Sequence, residues 1–261
     1  MHLVFSANPN RHDTVAAARR MMAQAQQQGF DGTLMMGADD AFPKDAEAIV
    51  AVGGDGNFIR TAHLACAHGV PLFGVNCGRV GFLTEQTEAT FSDALHSLKT
   101  GAYTIVRHTL LACRINDGAP SLCLNDLLIY KHSFSGVVRI DFSVDEHAVG
   151  ELYGDGLIVA TPLGATGYSL SAGGPIVADG LACMTITPIC PHTLHIRPIV
   201  ASMDSTVVLS VSDRGFVAAD GDRIAEVGAG DRITITRADA AVSVLTFGKR
   251  NVFRLISEKL S

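Results

Sequence analysis

Apolar residues fall in short unbroken runs separated by amphipathic stretches through the first part of the chain. The run at 2–7 reads as a strand. A helix follows, capped at Asp13-Thr14 and running to about Gln28, where Gly29 ends it. A second strand spans 48–52 and stops abruptly in Gly53-Gly54-Asp55-Gly56-Asn57. Residues 57–68 read as a helix, 70–75 as a strand and 90–99 as a helix. Strands alternating with helices predict a parallel, doubly wound sheet.

The pattern changes near residue 103. From Tyr103 to about Val244, short alternating runs are separated by turn residues, as at 109–115, 137–144, 157–160, 205–211 and 232–237. This predicts α/β plus β: an α/β domain over 1–105 and a β-rich, sandwich-like domain over 106–245. A C-terminal segment, 246–261, packs back on the first domain and holds a helix over 252–260.

Composition narrows the picture. The chain has 261 residues, 48% of them hydrophobic, ample for a sizeable core. A net charge of −6 argues against a general nucleic-acid binder. Neither a signal peptide nor an apolar stretch of membrane-spanning length is seen, so the protein is expected to be cytoplasmic, with no membrane partner. Cys66, Cys77, Cys113, Cys123, Cys183 and Cys190 are scattered without C-x-x-C spacing, as in reduced cytosolic proteins, and no metal site is expected from them.

Chemistry concentrates in four blocks. The loop Gly53 to Asn57 puts one carboxylate, Asp55, at a strand's carboxyl end, where open α/β sheets bind ligands. Such a carboxylate suits a hydroxyl or Mg²⁺, so the loop points to phosphoryl transfer onto an alcohol. The stretch Gly154 to Pro175 joins an acidic turn at Asp155 to small and hydroxyl residues around Tyr168. Thr166, Ser169 and Ser171 have hydroxyls for phosphate or ribose, and Tyr168 a ring for a base. Asn125-Asp126 is an amide–acid pair among apolar residues. The fourth block, Pro188 to Pro198, is a rigid loop in which His192 and His195 read as hydrogen-bonded structural residues. Arg60 and Arg79 are phosphate-neutralising or plain surface residues.

Taken in chain order and with a fifth segment at 76–83, the blocks resemble the NAD kinase family: a GGDG loop at 53–56, N-x-G-x-x-GFL at 76–83, an amide–acid pair at 125–126, a DG…SAGGP stretch at 155–175, and P-x-x-PH-x-L-x-x-RP at 188–198. The resemblance covers nearly everything from residue 48 onward. It implies transfer of the ATP γ-phosphoryl group to the 2′-hydroxyl of the adenosine ribose of NAD, with Mg²⁺ or another divalent cation accompanying ATP. It also implies a site in a cleft between the domains of a homodimer or homotetramer with shared active sites. Asp55 would be the general base or the hydroxyl-orienting group, and Gly53, Gly54, Gly56, Asn57 and Arg60 would hold phosphate. The dinucleotide would meet Asp55, Gly56, Asn125, Asp126, Tyr153, Asp155, Leu163, Thr166, Gly167, Tyr168, Ser169, Leu170, Ser171 and Asp222, with Asp155 coming from the partner subunit or the opposite wall.

Asn57 stands where the family has Thr, Asp126 where it has Glu, and Leu163, Ala165 and Gly167 replace Thr, Ser and Ala. These departures keep open an enzyme acting on NADH or another nucleotide, and a non-catalytic NAD(P)-binding sensor. A lipid kinase shares the GGDG loop but needs no dinucleotide-specific stretch. No Walker-type P-loop, no G-x-G-x-x-G opening a helix, no G-x-S-x-G and no H-E-x-x-H is present.

Overall fold

A computed structural model describes residues 1–37, 40–78, 81–192 and 195–248, together with Phe253 and Ser257. The chain divides into two compact units, Met1–His108 with Ala241–Ser261, and Thr109–Ala240. The helix expected at 252–260 falls almost wholly outside the described residues, as does Arg79.

The first unit runs β1 (His2–Ala7), α1 (His12–Gln27), β2 (Asp31–Met35), β3 (Ala46–Val52), α2 (Asp55–His68), β4 (Leu72–Asn76), β5 (Gln86–Thr87) and α3 (Phe91–Thr100). Its strands are parallel in the order β2-β1-β3-β4, with β5 also parallel to β4. Helices cover both faces. Ala17, Ala18, Met21 and Ala25 of α1, with Phe91, Ala94, Leu95 and Leu98 of α3, pack on Leu3, Phe5, Val50, Val52 and Phe73. On the other face α2 packs on β1, β3 and β4, and Thr61 meets Ser6 at 2.9 Å. Strands covered on both faces are apolar throughout, which is why 48–52 reads as an unbroken run.

Two local differences from the sequence reading have physical causes. Helix α1 begins at His12, one residue before the expected cap. The Asp13 carboxylate pairs with the Arg11 guanidinium (2.8 Å), and Asp13 and Thr14 sit inside the first turn. Strand β2 carries no apolar run because it is the sheet's outer strand, paired only to β1.

The second unit begins within β6 (Thr104–Ile115) and continues through β7 (Ser121–Cys123), β8 (Asp126–Lys131), β9 (Val138–Val144), β10 (His147–Gly154), β11 (Gly156–Ala160), a 3₁₀ turn (Gly164–Thr166), α4 (Tyr168–Ser171), β12 (Cys183–Ile189), β13 (Ile199–Ser202), β14 (Val207–Val211), β15 (Gly215–Ala219), β16 (Asp222–Val227) and β17 (Arg232–Thr246). Within this unit β10-β9-β14-β17 form one antiparallel layer, with β6 and β7 alongside; β13-β12-β11-β8-β15-β16 form the other. Inward residues of both layers, including Leu127, Ile129, Ile140, Leu157, Val159, Met184, Ile186, Leu209 and Ile235, make one core. That is a β sandwich. The last residues of β17 return to the first unit, where Val244 pairs in parallel with Leu72 of β4. Thr246 there meets Thr104 at 2.6 Å, hydroxyl to hydroxyl.

Candidate active site

In the first unit the site is built where β3 ends. Gly53 has φ of 138°, a conformation that favours glycine, and its N–H donates to the Val75 carbonyl (2.9 Å). Gly54 then caps α2, so Asp55 and Gly56 lie in its first turn, at the positive end of the helix dipole. A Cβ at Gly54 or Gly56 would meet nothing of the chain within 4 Å, and both residues are exposed. Their open side is available to a ligand.

The Asp55 carboxylate is held from the other side. Oδ2 accepts the Phe82 N–H (2.8 Å); Oδ1 accepts the Leu83 N–H (3.1 Å) and the Thr84 hydroxyl (3.3 Å). Thr84 Oγ1 in turn accepts from Asn76 Nδ2 (2.8 Å), and Asn76 Oδ1 accepts the Gly78 N–H (2.7 Å). A carboxylate has about four lone-pair sites. Three donors leave room for one more, such as a substrate hydroxyl.

Asn57 takes a different part from the expected phosphate contact. Its amide nitrogen donates to the carbonyls of Ser6 and Val52, both at 3.0 Å, and its oxygen accepts from Arg60 (2.5 Å). The side chain ties strand ends together, and both amide hydrogens are used within the protein.

The second unit carries the amide–acid pair at the start of β8. Asp220, in the turn between β15 and β16, has φ of 52° and sends its carboxylate to this corner. It accepts the N–H groups of Leu124 (2.8 Å), Asn125 (2.6 Å) and Asp126 (3.4 Å). Burial first, and then the negative charge of Asp220, push the Asp126 carboxyl up to about 6. The Asn125 side-chain oxygen is buried and meets no donor among the described residues.

Over this corner lies the loop 161–174. Thr161 fixes it: its hydroxyl donates to the Leu124 carbonyl (2.6 Å) and accepts the Gly164 N–H (3.1 Å). Gly164 sits directly on the Asn125 backbone, with no space for a Cβ. Gly167 is next to the pair, since a Cβ there would lie 3.6 Å from Asp126 Oδ2 and 3.9 Å from Asn125 Nδ2. The Thr166 hydroxyl donates to the Leu163 carbonyl (3.2 Å). Ser169 is fully buried and meets Thr187 at 3.0 Å, on the sheet face turned away from the sandwich core. Tyr168 and Ser171 are exposed, Leu170 half-buried and Leu163 buried. Ala165 packs with Val177 and Cys183, so the hydroxyl absent at 165 belongs to an apolar pocket.

Asp155 pairs with Lys131 Nζ at 2.6 Å, and the Tyr153 hydroxyl donates to Glu151 (2.7 Å). Asp222 is exposed at the start of β16. The sequence reading missed Asp220, Thr161, Asn76 and Thr84 as site-building residues. Asn76 opens the N-x-G-x-x-GFL segment and Thr84 follows it directly, which was the available signal.

A carboxylate-bearing glycine loop on an α/β unit and a hydroxyl-rich loop on a β sandwich suit a phosphotransferase with an alcohol acceptor. Residues 2–103 match the model of the ATP-NAD kinase N-terminal domain and residues 124–247 that of the ATP-NAD kinase C-terminal domain. The chain belongs to the ATP-NAD kinase family. An NAD kinase of Heliobacterium modesticaldum is 39% identical over 224 residues, 83% of this chain and 79% of that one. An NAD kinase of Geotalea daltonii is 38% identical over 228 residues, 85% of this chain and 80% of that one. Among solved structures, an NAD kinase from Archaeoglobus fulgidus in complex with ATP is 25% identical with a TM-score of 0.80, covering 100% of this chain and 98% of that one. Yeast NADH kinase complexed with NADH shares the fold, with a TM-score of 0.87 at 18% identity over 100% of this chain and 87% of that one.

Proposed function

We propose that this NAD kinase transfers the γ-phosphoryl group of ATP to the 2′-hydroxyl of the adenosine ribose of NAD, with Asp55 orienting that hydroxyl. The hydroxyl oxygen bonds to the γ-phosphorus, the bond to the β,γ-bridging oxygen breaks, and ADP leaves. The hydroxyl proton departs through Asp55. Most of what a protein does for such a transfer is positioning. The observation that carries this role is the three-donor hold on Asp55, which leaves one acceptor direction.

The first turn of α2, at Gly54 and Gly56, suits phosphate through its N–H groups and dipole. Asn125 and Asp126 suit ribose hydroxyls: a buried oxygen without a donor and an ionised carboxylate both ask for O–H groups. Thr166, Gly167, Tyr168, Leu170 and Ser171 line the same reading, with Tyr168 offering an exposed ring. Ser169 supports that loop from beneath.

Among the described residues no three His, Cys, Asp or Glu side chains group as a metal cage. The reading has Mg²⁺ or another divalent cation accompany ATP, offsetting the charge of its phosphates. The reading includes a homo-oligomer with shared sites. All six cysteines are free thiols, as suits a reducing cytoplasm, and no helix among the described residues is long and apolar enough to cross a membrane.

The test is NADP formation from NAD, ATP and Mg²⁺, followed with an NADP-specific dehydrogenase. Asp55→Asn should keep dinucleotide binding and lose turnover by roughly 10²-fold or more. Full activity in that variant would remove Asp55 from the mechanism.

A further inference from the structure

We propose that Gly81 is a positioning residue for Asp55, its missing side chain being the space in which the carboxylate stands. The inference rests on the role given to Asp55 above.

Gly81 is not among the glycines with positive φ, so alanine can adopt its backbone. What alanine cannot do is fit. A Cβ at position 81 would fall on Asp55 Oδ1, 2.5 Å from Asp55 Cγ and 2.7 Å from Thr84 Oγ1. The carboxylate has nowhere to retreat while keeping its bonds. The next two N–H groups along the chain, at Phe82 and Leu83, hold its two oxygens from the same segment. Behind them Thr84 is 1% exposed and is fixed by Asn76, itself 5% exposed. Residues 81–84 thus form one cradle: a gap, two backbone donors and a hydroxyl. Filling the gap forces Asp55 to rotate away from the geometry in which its remaining acceptor direction meets a substrate hydroxyl. A displacement on the order of 1 Å at a reacting group can cost about 10²-fold in rate. Gly54 and Gly56, adjacent to Asp55, show the opposite environment, since a Cβ there meets nothing of the chain.

The experiment compares Gly81→Ala, Asp55→Asn and the double variant, reading kcat, KM for NAD and the melting temperature of the full chain. Gly81→Ala should lower kcat by roughly 10- to 100-fold, with KM for NAD within about threefold. Added to Asp55→Asn, it should cost no further turnover, because it acts through the carboxylate already altered. A Gly81→Ala enzyme with wild-type kcat overturns the proposal, as does an equal fractional loss in both backgrounds. If Asp55→Asn itself keeps full turnover, the fault lies in the role of Asp55 and not in the cradle. Should Gly81→Ala fail to fold, Thr84→Val decides: a severalfold loss of kcat restored by Thr84→Ser supports the cradle, and unchanged kcat overturns it.

Discussion

Asp126 is held between burial and charge. Its carboxyl is raised to about 6, first by desolvation and then by Asp220. The folded chain therefore holds its proton more tightly than the unfolded chain, so this group's contribution to stability falls as pH rises through 6. Between pH 5 and pH 7 the change amounts to about 1 kcal/mol. Urea unfolding of the wild type and of Asp126→Asn at the two pH values should differ by that amount, the variant lacking this part of the dependence. Dinucleotide binding should run the other way, with KM for NAD rising below pH 6 as the acceptor becomes protonated. Equal KM values at pH 5.5 and pH 7.5 would remove Asp126 from the ribose contact. Asp126 was legible because an amide–acid pair among apolar residues asks for a partner. Asp220 was not, although the resemblance implied a contact from Asp222, two residues further on. Only the left-handed backbone at 220 aims that carboxylate at residues far back in the sequence, and one-dimensional spacing carries no such information.

At the level of elements, β11 and β12 explain why the hydroxyl-rich loop holds its shape. Both strands are buried along their whole length. One face of β12 gives Met184 and Ile186 to the sandwich core, and the other gives Thr185 and Thr187 to Ser169. An unbroken apolar run disclosed β11, whereas β12, which alternates apolar residues with Thr185 and Thr187, was not read as a strand, and nothing in the sequence told what covers their outer face. Ser169→Ala should cost about 1 kcal/mol, the loss of one buried hydrogen-bond bridge, measured by chemical denaturation. Gly164→Ala should cost more, about 1–3 kcal/mol, because a Cβ there meets the Asn125 backbone instead of a side chain that can swing aside. Ala165→Ser, which restores the family's residue, places a hydroxyl among Val177 and Cys183. It should lower stability without improving KM for NAD, and an improved KM would show that the hydroxyl reaches substrate.

For the whole molecule, the reading of shared sites predicts complementation. Asp55→Asn and Asp155→Ala subunits, each weak alone, should regain part of the activity when mixed and allowed to exchange. No recovery, together with a monomer in light scattering, would place the complete site in one chain. The pattern of runs revealed both kinds of layer, as mixed helices and strands first and strands alone afterwards. Less visible was how far β17 extends: the sequence suggested a strand at 232–237, and the structure continues it to Thr246. That extension has a consequence for synthesis. The first unit is interrupted, its opening stretch made early and its closing strand segment last. A nascent chain that has reached residue 240 has every strand of the sandwich except the end of β17. It still lacks Val244 to pair with Leu72, and the threonine that meets Thr104 across 142 positions of sequence. The half of the protein that leaves the ribosome first is thus the half that finishes last, and a ribosome-bound chain stopped at 240 should remain protease-sensitive in residues 1–108.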